Sequence, residues 1–120
     1  LYYFMWSEND TRSANYRVRY LISESPTEFI RNGQPAQVER TVILNQDPSK
    51  QIYGTGHHSI LQKPGTDEWY IVYHRINKDY IERDKGPGVH REVCIDRMYF
   101  NEDGTIQPVK PTQRGVKLGE

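Results

Sequence analysis

The length and balanced charge of the chain exclude several classes of protein. It has 120 residues, 35% of them hydrophobic, which suffices for the modest core of one small domain or of part of a larger one. Sixteen basic and sixteen acidic side chains give a formal net charge of zero, so no long-range field attracts nucleic acid or an anionic membrane. No apolar run is long enough to span a membrane, and no signal peptide pattern is present. We therefore expect an uncharged partner and neither nucleic acid nor membrane binding.

The cysteine content excludes two kinds of site, and the aromatic content is consistent with a β fold. Cys94 is the only cysteine, which excludes an intrachain disulfide and a zinc site built from several cysteines. Nine Tyr, three Phe and two Trp suit both a β core and a surface that stacks on sugar rings. The chain starts at Leu1, without an initiator Met, and enters the apolar run Tyr2–Trp6 directly. We expect a fragment whose natural N-terminus was removed.

Apolar and polar residues alternate with period two between turn sequences, which predicts an all-β fold. The predicted strands, in chain order, are Tyr2–Trp6, Tyr16–Ser23, Phe29–Ile30, Thr41–Leu44, His58–Gln62, Trp69–His74, Glu92–Phe100 and Ile106–Val109. Turn sequences at 64–67 and 101–104 contain Gly65 and Gly104, which can adopt positive φ, and each predicts a hairpin. The charged stretch 77–88 has no apolar periodicity and predicts an exposed loop.

An internal repeat divides the chain into two units. The aromatic run Tyr2–Ser7 matches Trp69–His74 in residue type, and each is followed by a second strand and a short outer strand. The second unit also has a strand in front of its aromatic run, and four antiparallel strands per unit are typical of propeller blades. We therefore predict a partial blade over residues 1–50, a last blade over residues 51–112 and a tail over residues 113–120.

An incomplete propeller exposes a sheet face and a strand edge. We expect the exposed blade face to carry Tyr2, Phe4, Ile71 and Tyr73. Burying such side chains is favourable, so we expect the missing blades or a second copy of the chain to cover this face.

Three segments together resemble glycoside hydrolase family 43. They are Gly-Thr-Gly-His-His-Ser at 54–59, the run Asp67–His74, and His90-Arg91-Glu92. The family comprises five-bladed β-propeller enzymes that cleave arabinose- and xylose-containing glycans with inversion. The resemblance implies about the last two of the five blades, at the C-terminal end of the catalytic domain. It further implies an arabinofuranosidase or xylosidase that degrades plant-type polysaccharides and is secreted or periplasmic.

The resemblance implies three catalytic carboxylates, and we expect all of them outside this chain. Inversion requires one acid for the leaving oxygen and one base for a water on the opposite face of the sugar. The family's base and its pKa-tuning Asp lie in earlier blades, and its acid would precede Leu1 by the repeat argument. Glu8 and Asp10 follow the second strand of their blade, so we predict solvated loop residues and an inactive isolated fragment.

His57 matches the central histidine of the family. It enters the innermost strand of its blade behind Gly54 and Gly56, which allow the backbone to approach the propeller axis. The resemblance implies a calcium ion or a water cluster facing His57, with water completing the shell because calcium prefers oxygen ligands. The alternative is a histidine hydrogen-bonded within a strand. His58 is predicted to point the opposite way, toward blade packing.

Arg91 matches the family's substrate-contacting arginine. Its guanidinium offers a rigid fork of donors to sugar hydroxyls or to a catalytic carboxylate. The alternative is a surface salt bridge with Glu92 or Asp96. His74 ends the aromatic strand and is a candidate for the cleft rim, with a structural role as the alternative.

Trp6 is a candidate sugar platform, with a place in the blade core as the alternative. For the function itself, a glycan-cleaving hydrolase competes with a non-catalytic β-rich carbohydrate-binding or interaction module. A Glu beginning an innermost strand upstream of Leu1 would favour the hydrolase.

Overall fold

The chain folds into short antiparallel β-sheets, as its period-two pattern predicts. The computed structural model describes residues 2–27, 30–31, 34–35, 41–81 and 89–117. The strands in these ranges are β1 (Tyr2–Glu8), β2 (Arg17–Ser23), β3 (Ile30–Arg31), β4 (Gln34–Pro35), β5 (Thr41–Leu44), β6 (Gly56–Gln62), β7 (Trp69–Ile76) and β8 (Arg91–Met98). Short 3-10 turns cover Pro48–Lys50 and Lys78–Tyr80. Within the same ranges, no helix is both long and apolar enough to cross a membrane.

Two three-stranded sheets carry the fold. The first has the order β1-β2-β5 and the second the order β6-β7-β8, while β3 pairs with β4 in a separate two-stranded sheet. The pairing is antiparallel throughout, and β7 and β8 pair without interruption from Trp69↔Met98 to Ile76↔Arg91. The predicted strands in these sheets are confirmed, with ends shifted by at most two residues.

The predicted strand Ile106–Val109 is wrong. Ile106 forms only an isolated bridge with Phe100, and Pro108 has no N–H with which to continue a ladder. The Val109 N–H instead donates to the Ile43 carbonyl at 2.7 Å, which fastens this segment to β5 of the first sheet. The two larger sheets therefore have three strands each among the described residues, where the blade pattern predicts four in a complete unit.

Parts of the earlier predictions lie outside the described residues. Phe29 is one of them, while Ile30 begins β3. The predicted loop 77–88 starts with the 3-10 turn at Lys78–Tyr80, and residues 82–88 are not described.

The main core lies between the two sheets. Its buried members are Val18, Tyr20, Ile43, Leu44, Ile71, Tyr73, Met98, Ile106 and Val109. Ile71 and Tyr73 are 0% and 2% exposed, so their predicted place on an exposed face is wrong. They face the first sheet across the core, where burial contributes about 1.5 to 3 kcal/mol for each large apolar side chain. Tyr2 and Phe4 remain 48% and 51% exposed, as predicted.

Two buried polar residues hold the segment after β8 against the second sheet. Asp96 accepts hydrogen bonds from the Tyr73 hydroxyl at 2.5 Å and from the Thr112 hydroxyl at 2.6 Å. Arg75 donates to Glu92 at 2.9 Å and to the Thr112 carbonyl at 2.7 Å. Burial and the adjacent carboxylate raise the pKa of Tyr73, so its hydroxyl remains a donor. These bonds make Arg75 a structural residue.

Candidate functional site

Three of the predicted site residues meet around a buried tyrosine at one end of the sheets. The His57 and His74 rings stack with centroids 5.2 Å apart, and the Tyr16 ring stacks with His74 at 6.2 Å. The Arg91 guanidinium carbon lies 5.7 Å from the centroid of the Tyr16 ring. We call Tyr16, His57, His74 and Arg91 the imidazole cluster.

A β-bulge places His57 in the cluster. Gly56 pairs with His74 and Ser59 with Val72, so His57 and His58 together oppose one residue of β7. His57 has a φ of 53°, in the left-handed region that a side chain disfavours. Its N–H donates to the Ser7 hydroxyl at 2.8 Å, which joins β6 to the end of β1. The bulge thus fixes the backbone of an exposed histidine beside β1, while its ring stacks on His74.

The two glycines of the 54–59 motif permit close contacts with side chains of the cluster, while their approach to the propeller axis stays a prediction. A Cβ on Gly56 would lie 2.3 Å from Tyr16 Cε2, inside the ring's van der Waals surface. A Cβ on Gly54 would lie 2.8 Å from Arg91 Nη1, and Gly54 also has a positive φ of 64°. Arg91 Nη1 donates to the Gly54 carbonyl oxygen. The motif therefore anchors the guanidinium and the phenol ring.

The buried part of the cluster favours neutral imidazoles. Burial, followed by the charge of Arg91 and the proximity of His57, lowers the pKa of His74. Burial and the neighbouring His57 likewise lower the pKa of His58, which agrees with its predicted packing role. Within the described part of the chain, Nδ1 of His74 and Nδ1 of His58 are buried without a hydrogen-bond partner. A neutral His74 can donate from one ring nitrogen and accept at the other.

Trp6 lies apart from the imidazole cluster. Its ring packs on Phe4 with centroids 5.6 Å apart, on the face of β1 that also carries Tyr2. The next residue, Ser7, points the other way and contacts the His57 N–H. The structure therefore brings together His57, His74 and Arg91 but does not add Trp6 to them.

Glu8 and Asp10 are both held as anions. Glu8 is the last residue of β1, so its predicted place in a solvated loop is wrong, whereas Asp10 follows the strand. Glu8 accepts from Arg19 Nε at 2.6 Å and from Arg17 Nε at 2.5 Å, and these bonds lower its pKa. Hydrogen bonds from Arg12 lower the pKa of Asp10 to about 2. A general acid for glycoside cleavage needs a raised pKa, so neither carboxylate is suited to that role.

The carboxylates proposed as salt-bridge partners of Arg91 have other contacts. Glu92 accepts from Arg75, and Asp96 accepts from Tyr73 and Thr112. The neighbouring His90 ring stacks on Tyr80 with centroids 4.0 Å apart.

The donors around His57 do not by themselves fit calcium. Across the described ranges, no group of three His, Cys, Asp or Glu side chains comes close enough to hold a metal. The cluster offers imidazoles and a phenol, whereas calcium takes six to eight oxygen ligands.

Two residues that contact the imidazole cluster or belong to it, Ser7 and Tyr16, were not predicted as site residues from the sequence. Tyr16 was predicted only as the first residue of a strand, yet it is 8% exposed and contacts Gly56, His74 and Arg91. Ser7 accepts the bond that orients the bulge. Their sequence positions show no local signal, because both contacts join residues about 40 or more positions apart.

Comparison with known proteins assigns the family. The family model described as Glycosyl hydrolases family 43 matches residues 1–106. A β-D-galactofuranosidase of Aspergillus niger is 38% identical over 117 residues, which are 98% of this chain and 31% of that protein. A xylosidase/arabinosidase of Thermoclostridium stercorarium is 28% identical over 118 residues, 95% of this chain and 22% of that protein.

A solved structure agrees with this assignment. The crystal structure of a thermostable family-43 glycoside hydrolase superposes with a TM-score of 0.71 at 31% identity, over 98% of this chain and 34% of that one. The chain thus spans about a third or less of the length of these relatives. Because the family match covers most of its residues, the chain belongs to glycosyl hydrolases family 43.

Proposed function

We propose that this chain is the C-terminal part of a glycoside hydrolase that cleaves arabinofuranosyl or xylosyl linkages in plant-type polysaccharides with inversion. The observation that carries the proposal is the imidazole cluster, which gathers the sequence motifs of a family 43 member at one end of two sheets. The names of the relatives support a furanosyl or xylosyl sugar, and a secreted or periplasmic location is part of the proposal.

In this proposal the cluster binds sugar. The Arg91 guanidinium is fixed by the Gly54 carbonyl and the Tyr16 ring, so its orientation costs little entropy when a ligand binds. The guanidinium fork suits adjacent sugar hydroxyls or an ionised carboxylate. Neutral His74 adds a donor or an acceptor beside it. A calcium ion facing His57 would require oxygen ligands from outside the cluster.

The catalytic acid and base belong, in this proposal, to the part of the protein outside this chain. Inversion needs two carboxyl groups about 6.5 to 9.5 Å apart, with the acid's pKa raised. Glu8 and Asp10 have pKa values lowered by hydrogen bonds from arginines, which supports a role for this chain in positioning and binding rather than in proton transfer.

We also propose that the two sheets are the last blades of a propeller: residues 1–50 a partial blade, 51–112 the last blade and 113–120 a tail. The exposed aromatic face of Tyr2, Phe4 and Trp6 supports a further sheet against β1. Either the remaining blades or a second copy would cover it.

Turnover by the complete protein tests the function. We expect hydrolysis of 4-nitrophenyl α-L-arabinofuranoside or β-D-xyloside, with the inverted anomer appearing first by proton NMR. The isolated chain should be inactive, and Glu8→Gln in the complete protein should leave the rate unchanged. Binding of arabinoxylan without turnover would instead support the non-catalytic carbohydrate-binding module, and release of the retained anomer would contradict inversion.

A further inference from the structure

A cavity lies between β8 and the segment that follows it. Its volume is about 690 Å³, and it shares no lining residue with the imidazole cluster. Four cationic side chains line it, set against the carboxylate of Asp96: Arg97, Lys110, Arg114 and Lys117. Asp96 already accepts hydrogen bonds from Tyr73 and Thr112. In a chain of zero net charge, this wall concentrates positive charge.

Arg97 lies against two aromatic rings of the cavity wall. Its guanidinium carbon is 5.2 Å from the centroid of Tyr70 and 5.0 Å from that of Tyr99, both of which line the cavity. Cation–π attraction at these distances favours this position of the guanidinium, which carries a planar fork of N–H donors. Arg97 Nε is buried and has no hydrogen-bond partner among the residues that the structure describes. An unpaired buried donor costs free energy, which an acceptor able to reach it would recover.

The shape and chemistry of the cavity favour a sugar carboxylate. A planar carboxylate matches the arginine fork, and the lysines add charge around it. Cavities of about 300 to 1,000 Å³ are typical of small-ligand sites, whereas protein partners bind on broad, flat surfaces. Tyr99 is 51% exposed and offers an aromatic surface for a sugar ring. We propose that this cavity binds the carboxylate of a uronic acid residue in an acidic glycan.

This inference rests on the proposed function, because an enzyme acting on plant-type polysaccharides meets uronic acids beside its neutral sugars. Affinity electrophoresis of the complete protein tests it, in native gels that contain polygalacturonate, neutral arabinan or polyglutamate. Arg97→Gln removes the positive charge that lies against Tyr70 and Tyr99. Arg12→Gln is the matched control, because it removes the same charge from an exposed side chain paired with Asp10.

We expect polygalacturonate to retard the parent protein and Arg12→Gln, and Arg97→Gln to bind at least about tenfold more weakly. Equal binding by Arg97→Gln and Arg12→Gln would overturn the proposal. Equal retardation by polyglutamate would also overturn it, in favour of a surface for acidic protein segments. Hydrolysis of aryl glycosides should be unchanged in both variants, so a failure here is distinguishable from a failure of the proposed function.

A second variant covers the case in which Arg97→Gln does not fold. Lys110 and Arg114 are exposed, so Lys110→Gln/Arg114→Gln should fold normally. We expect this double variant to bind polygalacturonate about threefold more weakly, as for exposed charges. Unchanged binding in the folded double variant would contradict the proposed site.

Discussion

His74 stacks on His57 with ring centroids 5.2 Å apart, although the two residues lie on different strands and one of them has a left-handed backbone conformation. The pair links β7 to the bulge in β6, and the bulge contacts β1 through Ser7. The geometry of the imidazole cluster therefore depends on the β-bulge at His57. Substitutions at His57 and His74 should accordingly change the stability of the protein.

Replacing His74 should reduce the loss of stability that the protein shows as the pH falls. Burial first, then Arg91 and His57, lower the pKa of His74 in the folded state, so the unfolded chain binds a proton more readily. The stability that neutral His74 contributes is complete above its unfolded pKa and falls as the pH drops through the folded pKa. Urea unfolding of the complete protein should show that its free energy of unfolding falls between about pH 8 and about pH 5. The fall should be smaller in His74→Phe.

High salt separates the causes of that effect. Because burial is the largest cause, the difference between the parent and His74→Phe should persist when salt screens the charge of Arg91. Identical pH profiles of the parent and His74→Phe would show that His74 is not buried in its neutral form.

Replacing His57 should separate backbone strain from side-chain chemistry. The φ of 53° is acceptable to glycine but costs other residues about 1 to 2 kcal/mol. His57→Gly should therefore unfold at a higher urea concentration than His57→Ala, with a difference of about 1 kcal/mol. A more stable His57→Ala would mean that this residue does not have a left-handed conformation.

Replacing Arg91 should reduce catalysis by the complete protein without unfolding it. Arg91→Ala removes the donors beside His74, and we expect kcat/KM on aryl glycosides to fall at least about tenfold. Arg91→Lys keeps the charge but loses the planar fork of donors, so its kcat/KM should lie between those of the parent protein and Arg91→Ala. Arg12→Ala is the control, and circular dichroism should show the same fold for all variants. An unchanged rate for Arg91→Ala would remove Arg91 from the site.

The aromatic face of β1 should make the isolated chain associate. Tyr2 and Phe4 are about half exposed and adjoin Trp6, and covering them stabilises by about 25 cal/mol per Å² of apolar surface. Size-exclusion chromatography with light scattering should find a self-associated chain, and Tyr2→Ser/Phe4→Ser should shift it toward the monomer. A stable, cooperatively folding monomer of the parent chain would contradict the proposed blade arrangement.

The sequence predicted the strands and most of the site because both depend on local patterns. Apolar and aromatic runs between turn sequences identified β1, β5 and β7, whereas the bulge at His57 was not predicted. Arg91 and His74 end up together because each lies at one end of a paired strand.

Other features depend on packing between distant residues, which local patterns do not specify. Ile71 and Tyr73 are buried because the first sheet lies against them, and Val109 pairs with Ile43 of that sheet instead of extending a strand. The contact of Tyr16 with Gly56 likewise joins residues 40 positions apart.

A crystal structure of the complete protein with bound arabinose or xylose would test the central claim most directly. We expect a sugar hydroxyl or a catalytic carboxylate about 2.7 to 3.2 Å from an Arg91 guanidinium nitrogen, with a second sugar contact at His74. A sugar bound in the catalytic cleft with Arg91 and His74 both remote from it and from the carboxylates would contradict the assignment of the imidazole cluster to the substrate site.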